Sequence, residues 1–388
     1  MNHKSKLSLA GFTLLELMIA MSVTMVLLYA AVLAFKDAQT TNSIVKQSAD
    51  MTDNLRAGLN LMIQDIQQTG TGIPTGGIPI PFTSNGSTTA PCGTTAPINR
   101  PVLGGASTFP ACNSVMPSVE PGNMLGPPIT APDATTGTVQ NPNSITDEIT
   151  VLYADNTAGL DAKPINQPPT TTPPSPGCPN GSLNLNGTLL TITFDATNCV
   201  NLANAGITIQ TGDLIMLTNS LGTALVYVTS VNGQTISFAS GDPFKLNGRS
   251  DNSGTVNQLM TAGCNGAPSC FPATTATRIW MVSYYLDNVT SPPYIRLIRQ
   301  VNFKTPTPVG ETLENLQFTY NFFDGVTNPS NQPTVPAGNS ESQIRTVNLY
   351  LGARSSYRVS HGNQSLYSRS NLMTQVSLRS MAYFNKYQ

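Results

Sequence analysis

The chain has 388 residues and a formal net charge of -1, which is room for one large domain or two smaller ones. Only 10% of its residues are charged, against roughly 25% in an ordinary soluble domain, and Thr, Asn, Ser, Gly and Pro fill the gap. No Lys/Arg cluster stands out along the chain, so the electrostatic footprint of a nucleic-acid binder is missing.

The N-terminus is the informative part. Met1–Gly11 is short and polar with Lys4 and Lys6, and Phe12–Phe35 then carries a single charged residue, Glu16. At 1.5 Å per residue this run forms a helix of about 36 Å, enough to cross a bilayer core. The lysines precede the apolar run, so the positive-inside rule keeps the N-terminus cytoplasmic and sends the rest outward. An ordinary secretory signal would place its small-residue cleavage site after the apolar stretch, where Ala30, Ala31 and Ala34 stand, but the run is long for such a signal. A plain signal anchor gives no reason for Glu16. A carboxylate within a membrane span costs about 2.5–3.5 kcal/mol at mid-helix and less near its end, which marks Glu16 as a functional candidate.

The segment Gly11-Phe12-Thr13-Leu14-Leu15-Glu16-Leu17-Met18-Ile19-Ala20 resembles the class III signal of type IV pilins and of type II secretion pseudopilins. The resemblance implies that a prepilin peptidase cuts between Gly11 and Phe12 on the cytoplasmic side and methylates Phe12. It also implies that Glu16, the fifth mature residue, meets the N-terminal amine of a neighbouring subunit in a filament and sets axial register. A carboxylate in such a water-poor core needs a partner. Major pilins commonly carry a proline about twenty residues into the mature helix; here the first proline after Phe12 is Pro74.

Beyond the apolar run, Ile44, Met51, Leu55, Leu59, Met62 and Ile66 recur on one helical face, with polar residues filling most other positions. Gly58 weakens this helix without ending it. The helix is therefore expected to run from Phe12 to Thr69, its outer half laying an apolar stripe on a globular domain. The expected organisation is a leader over 1–11, a membrane or filament-core helix over 12–35, its amphipathic continuation over 36–69, and a β-rich domain over 70–388.

Thr69–Ser144 is rich in Gly, Pro, Thr and Ser and shows little periodicity, and Ala162–Asn180 repeats that character. Both read as long loops. Strand-like runs follow at Glu148–Tyr153, Thr188–Phe194, Asp213–Thr218, Thr223–Val228, Thr235–Phe238, Arg278–Leu286, Tyr294–Val301, Leu316–Phe323, Thr346–Gly352 and Leu372–Tyr383. Asp287–Pro293 reads as a hairpin connection. The fold class is thus α+β: one long N-terminal helix packed on a mainly antiparallel β domain with long Gly/Pro/Thr-rich loops.

The six cysteines, Cys92, Cys112, Cys178, Cys199, Cys264 and Cys270, all follow the apolar segment and sit in Gly/Pro/Asn-rich stretches. Six cysteines allow many connectivities. Sequential pairing, in which each bridge closes a local loop, is the expectation. A loop of about 20 residues contributes about 3 kcal/mol in the chain-entropy account. Disulfides place the domain in an oxidising compartment such as the periplasm or cell surface. Zinc competes at Cys264 and Cys270, but their spacing is wide and no histidine is close.

Asp147–Tyr153, Gly212–Leu217, Leu313–Tyr320, Ile344–Arg354 and Val376–Arg379 resemble recurrent blocks of the PilW family of minor pilins, whose nearest relatives are the J-type minor pseudopilins. The resemblance spans nearly the whole chain, though each block is short. It implies a subunit that waits in the inner membrane, primes pilus assembly with other minor pilins and the major pilin, and stays near the tip beside any tip adhesin. It implies service in twitching motility, adhesion or DNA uptake. A J-type pseudopilin of type II secretion and a pilus-associated adhesin are the alternative readings; the length and insertions favour the pilus branch.

Catalytic chemistry finds little to work with. The two histidines are His3, in the leader, and His361, so a multi-histidine metal site is excluded from the mature chain. Ser360-His361-Gly362-Asn363 reads as a polar loop. Asp324-Gly325 and Asp251-Asn252 read as turns more than as calcium ligands. No Walker-type or dinucleotide-binding motif occurs, and Trp280 reads as core. No enzyme, cofactor, metal or direct nucleic-acid partner is expected.

Overall fold

The computed structural model describes residues 13–81, 115–126, 145–161, 164–165, 181–196, 200–204, 207, 209–247, 254–287, 295–302, 304–356, 359–361 and 364–378. These form two compact units, one comprising Met1–Thr52 with Ser355–Ser368 and the other Asp53–Arg354 with Arg369–Gln388. A single helix, α1 (Leu14–Gln68), begins in the first and ends in the second.

Within the second unit the end of α1 is held by the stripe its periodicity predicts. Leu55, Leu59, Met62 and Ile66 are buried, each such side chain contributing about 1.5–3 kcal/mol relative to exposure. Gly58 has a positive use here: a Cβ built on it would lie 2.8 Å from Leu297 Cδ2, so the missing side chain lets the helix close onto the sheet. The helix stops at Gly70, whose φ of 78° is left-handed. Glycine takes that conformation at no steric cost, and the Gly70 N–H donates to the Leu152 carbonyl at 2.8 Å.

The strands in chain order are β1 (Ile78–Pro79), β2 (Val115–Met116), β3 (Val119–Gly122), β4 (Glu148–Asp155), β5 (Ser182–Asn186), β6 (Leu189–Thr193), β7 (Leu214–Asn219), β8 (Gly222–Tyr227) and β9 (Ser230–Asn232). They continue as β10 (Thr235–Phe238), β11 (Thr275–Asp287), β12 (Arg296–Val301), β13 (Thr307–Glu311), β14 (Leu313–Phe322), β15 (Ile344–Arg354), β16 (Val359–His361), β17 (Gln364–Leu366) and β18 (Arg369–Ser377). Every pairing among them is antiparallel. The α+β expectation therefore holds at the level of one long N-terminal helix and antiparallel sheets.

The largest sheet has the order β13-β12-β11-β4-β3, with β7 and β8 joined through β11. The 13-residue β11 makes this possible. One edge takes β4, while the other is shared, residues 275–279 pairing with β7 and 282–287 with β12. β11 and β12 are the expected hairpin partners, Asp287 lying opposite Arg296. A second sheet has the order β5-β6-β10-β9, and a third β14-β15-β18. Gly233-Gln234, with Gly233 at φ 57°, makes the tight two-residue connection from β9 to β10.

Two expectations are corrected. The stretch read as a loop over Thr69–Ser144 contains β1, β2 and β3. Gly77 makes the pairing of β1 with β2 feasible, since a Cβ there would lie 2.3 Å from the Met116 carbonyl oxygen. Ser360 and His361 belong to β16, paired with β17, rather than to a loop.

Candidate functional site

The predicted N-terminal site begins at the edge of the described residues: Gly11 and Phe12 lie outside them, and Thr13 and Glu16 lie inside. The Thr13 N–H and hydroxyl both donate to Glu16 Oε2 at 3.1 Å, and the Glu16 N–H donates back to Thr13 Oγ1 at 3.2 Å. This reciprocal arrangement is a capping box, in which two of the orphan donors of a helix start are satisfied. A carboxylate in the first turn also faces the positive end of the helix dipole. Sequence reasoning assigned Glu16 to assembly alone and missed this local role, although Thr-x-x-Glu before an apolar run is its signature.

The helix that starts there is long and apolar enough to cross a membrane, near the N-terminus. From Leu14 to Phe35 its large apolar side chains are exposed all round, between 44% and 77%. Amphipathic helices of soluble domains hide one face; a helix apolar on every face requires lipid or other helices as its surroundings. The two aliphatic hydroxyls deep in the run, Ser22 and Thr24, are satisfied internally. Ser22 donates to the Ile19 carbonyl at 2.8 Å and Thr24 to that of Ala20 at 2.9 Å, which removes the cost of bringing them into an apolar medium.

A second polar centre, unforeseen from sequence, anchors the other end of α1. Asp65 is 3% exposed, and each of its carboxylate oxygens accepts two hydrogen bonds. Oδ1 receives Tyr153 OH at 2.9 Å and Arg299 Nη2 at 3.2 Å, while Oδ2 receives Tyr284 OH at 2.5 Å and Arg299 Nε at 2.7 Å. Burial and then the Asp65 charge push both phenols far above their ordinary range. Burial opposes the charge on Arg299, but its bonds to Asp65 more than reverse that. The helix is thereby fixed to β4, β11 and β12 through one carboxylate, buried and accepting four hydrogen bonds, and its ion pair with the partly exposed Arg299.

A third cluster surrounds Trp280. The expectation of a core tryptophan is corrected: it is only half-buried, its indole N–H donates to Asp155 Oδ2 at 2.8 Å, and two cations flank its ring. Arg278 lies 5.0 Å and Lys304 5.5 Å from the ring centroid, within cation–π range. Arg278 also pairs with Asp155, and Lys304 with Asp213 at 2.5 Å. Burial pushes the Asp155 carboxyl up, but hydrogen bonds from Thr157, Arg278 and Trp280 outweigh it and hold the group down at about 2.

Of the predicted disulfides, Cys264–Cys270 is formed, with Cα atoms 5.7 Å apart; Cys92, Cys112, Cys178 and Cys199 lie outside the described residues, as do Asp251 and Asn252. Asp324 sits in a turn, as expected. Its carboxylate accepts from the N–H groups of Val326, Thr327 and Asn328 at 2.8, 2.9 and 2.9 Å.

Comparison of the chain with family models, curated proteins and solved structures finds no match in any of the three. The functional reading therefore rests on the residues themselves.

Proposed function

We propose that this chain is a pilin-like subunit, inserted through the start of α1 in the inner membrane and assembled by packing of those helices. The particular member we favour is a PilW-type minor pilin, which primes type IV pilus assembly and stays near the tip. One observation carries the reading: the Thr13–Glu16 capping box opens a helix exposed and apolar on every face, directly after Gly11-Phe12. Fifteen large apolar side chains stand exposed between Leu14 and Phe35. Covering them in lipid or in a helical filament core is worth tens of kcal/mol, at about 1.5–3 kcal/mol each.

The capping box sharpens the test of Glu16. Glutamine at the third helical position keeps the box but removes the charge, whereas alanine removes both. If Glu16 meets a neighbour's amine, Glu16→Gln and Glu16→Ala both fail to enter filaments while retaining the cleaved mass. If Glu16→Gln assembles normally and Glu16→Ala does not, the residue caps the helix and the register role is lost. Deleting the gene separates the branches: loss of surface pili with intact secretion supports the pilus reading, and intact piliation with lost secretion contradicts it.

A further inference from the structure

The three-stranded sheet β14-β15-β18 has two unlike faces. Leu316, Phe318 and Tyr320 of β14, Val347, Leu349 and Leu351 of β15, and Val376 of β18 are buried. The opposite face is built in rows by the strand register. Gln317 lies opposite Tyr350 and Tyr350 opposite Met373; Thr319 lies opposite Asn348 and Asn348 opposite Gln375. These six residues line an open groove of about 490 Å³ in which no lining side chain is charged. That volume falls within the range of small-molecule sites.

Three amides of the groove share one hydrogen-bonding arrangement. Asn348 spends its amide N–H groups on Thr319 Oγ1 at 3.1 Å and Asn331 Oδ1 at 2.9 Å. Gln317 donates to Asn315 Oδ1 at 3.1 Å, and Gln375 to Thr346 Oγ1 at 3.3 Å. In each case the amide nitrogen is engaged by the protein. The amide oxygens of Gln317, Asn348 and Gln375 accept no hydrogen bond from the described residues, and as amide oxygens they carry unused acceptor capacity. A ligand that supplies donors, carries no net charge and offers some apolar surface therefore suits this groove, and the hydroxyls of Thr319 and Thr374 can donate to it in return. Tyr350 and the 76%-exposed Met373 provide the apolar counterpart.

We infer that this face binds a neutral oligosaccharide, with sugar hydroxyls donating to the three amide oxygens and a pyranose C–H face resting on Tyr350 and Met373. Phosphate and carboxylate groups are acceptors and meet no cation in the groove. A cationic ligand meets no carboxylate there. A peptide strand would pair along a sheet edge rather than across a sheet face. The inference stands independently of the pilus reading.

The test uses the full chain in zwitterionic micelles, because detergents with sugar headgroups would compete. Saturation-transfer NMR is run against neutral oligosaccharides of glucose, galactose, mannose and N-acetylglucosamine, with an oligouronate as the charged control. The expected result is that at least one neutral sugar binds, the oligouronate binds less, and Asn348→Leu and Tyr350→Ala each weaken binding by about tenfold or more. The melting temperature of each variant reports whether the sheet is intact, and Gln317→Leu, in the row of Tyr350 and beside that of Asn348, serves if either variant fails to fold. Absence of binding to every neutral sugar, preference for the oligouronate, or binding indifferent to the folded variants would overturn the assignment.

Discussion

Asp65→Ala tests the account of how α1 is joined to its sheet. The substitution removes the acceptor of two buried phenol hydroxyls and the partner of Arg299 in one step. Breaking a buried ion pair from one side costs about 3–5 kcal/mol, and each stranded buried hydroxyl about 1–3 kcal/mol. The contributions do not add. Arg299 retains 25% side-chain exposure and regains some hydration, so about 4–5 kcal/mol is expected. Tyr153→Phe and Tyr284→Phe, which leave the ion pair in place, should cost about 1–1.5 kcal/mol each. Asp65→Asn should fall between, since its amide nitrogen would face a donor. The assay is urea unfolding followed by fluorescence of Trp280, the single tryptophan, which lies in β11 beside the affected strands. A midpoint shift for Asp65→Ala equivalent to less than about 1 kcal/mol would refute the anchoring role, as would full additivity between Asp65→Asn and Tyr284→Phe.

Other consequences follow from the same geometry. Asp155 has its carboxyl held at about 2 in the folded chain, below the ordinary value of about 3.9. A depressed carboxylate contributes stability that is present above the unfolded value and lost as pH falls through the folded one. Discounted for solvent screening, Asp155 should thus supply about 1 kcal/mol that disappears between about pH 4 and pH 2, and acid melts of Asp155→Asn should lack that portion. Asp147 and Asp242, pushed up by burial, act in the opposite sense and leave this difference between variants unchanged. Gly58→Val should cost about 1–3 kcal/mol through overpacking against Leu297. Gly58→Ala should cost less than Gly58→Val, because a gain of about 1 kcal/mol in helix propensity offsets part of the shift that Leu297 Cδ2 must make. A Gly58→Val chain with an unchanged melting temperature would contradict the close approach.

Local patterns made much of this fold legible. The helix stripe through Leu55, Leu59, Met62 and Ile66 follows directly from a 3.6-residue period, and β4, β11, β14 and β15 announce themselves through β-branched and aromatic content, which alternates with polar residues in β14 and β15. β5 and β13 were missed because Ser-Leu-Asn-Leu-Asn and Thr-Pro-Val-Gly-Glu carry residues that strands disfavour; pairing with β6 and β12 supplies what propensity lacks. Long-range assembly leaves no local mark. The partners of Asp65 are 88, 219 and 234 residues away, so nothing in its own stretch of sequence marks it. Trp280 was misread for the same reason: its strand is apolar, but the carboxylate that accepts its indole N–H, Asp155, stands on the neighbouring strand β4, 125 residues earlier. At Glu16 the local signal was present and the cost of a membrane carboxylate overshadowed it.

The central claim concerns where the mature chain begins. Intact-mass and N-terminal fragment analysis of the protein isolated from the cells that make it should give a chain starting at Phe12 with one methyl group on its amine. Substituting Gly11 should leave the leader attached. A mature chain that keeps Met1–Gly11, or one that begins after the apolar run near Ala30–Ala34, would contradict the pilin-like reading.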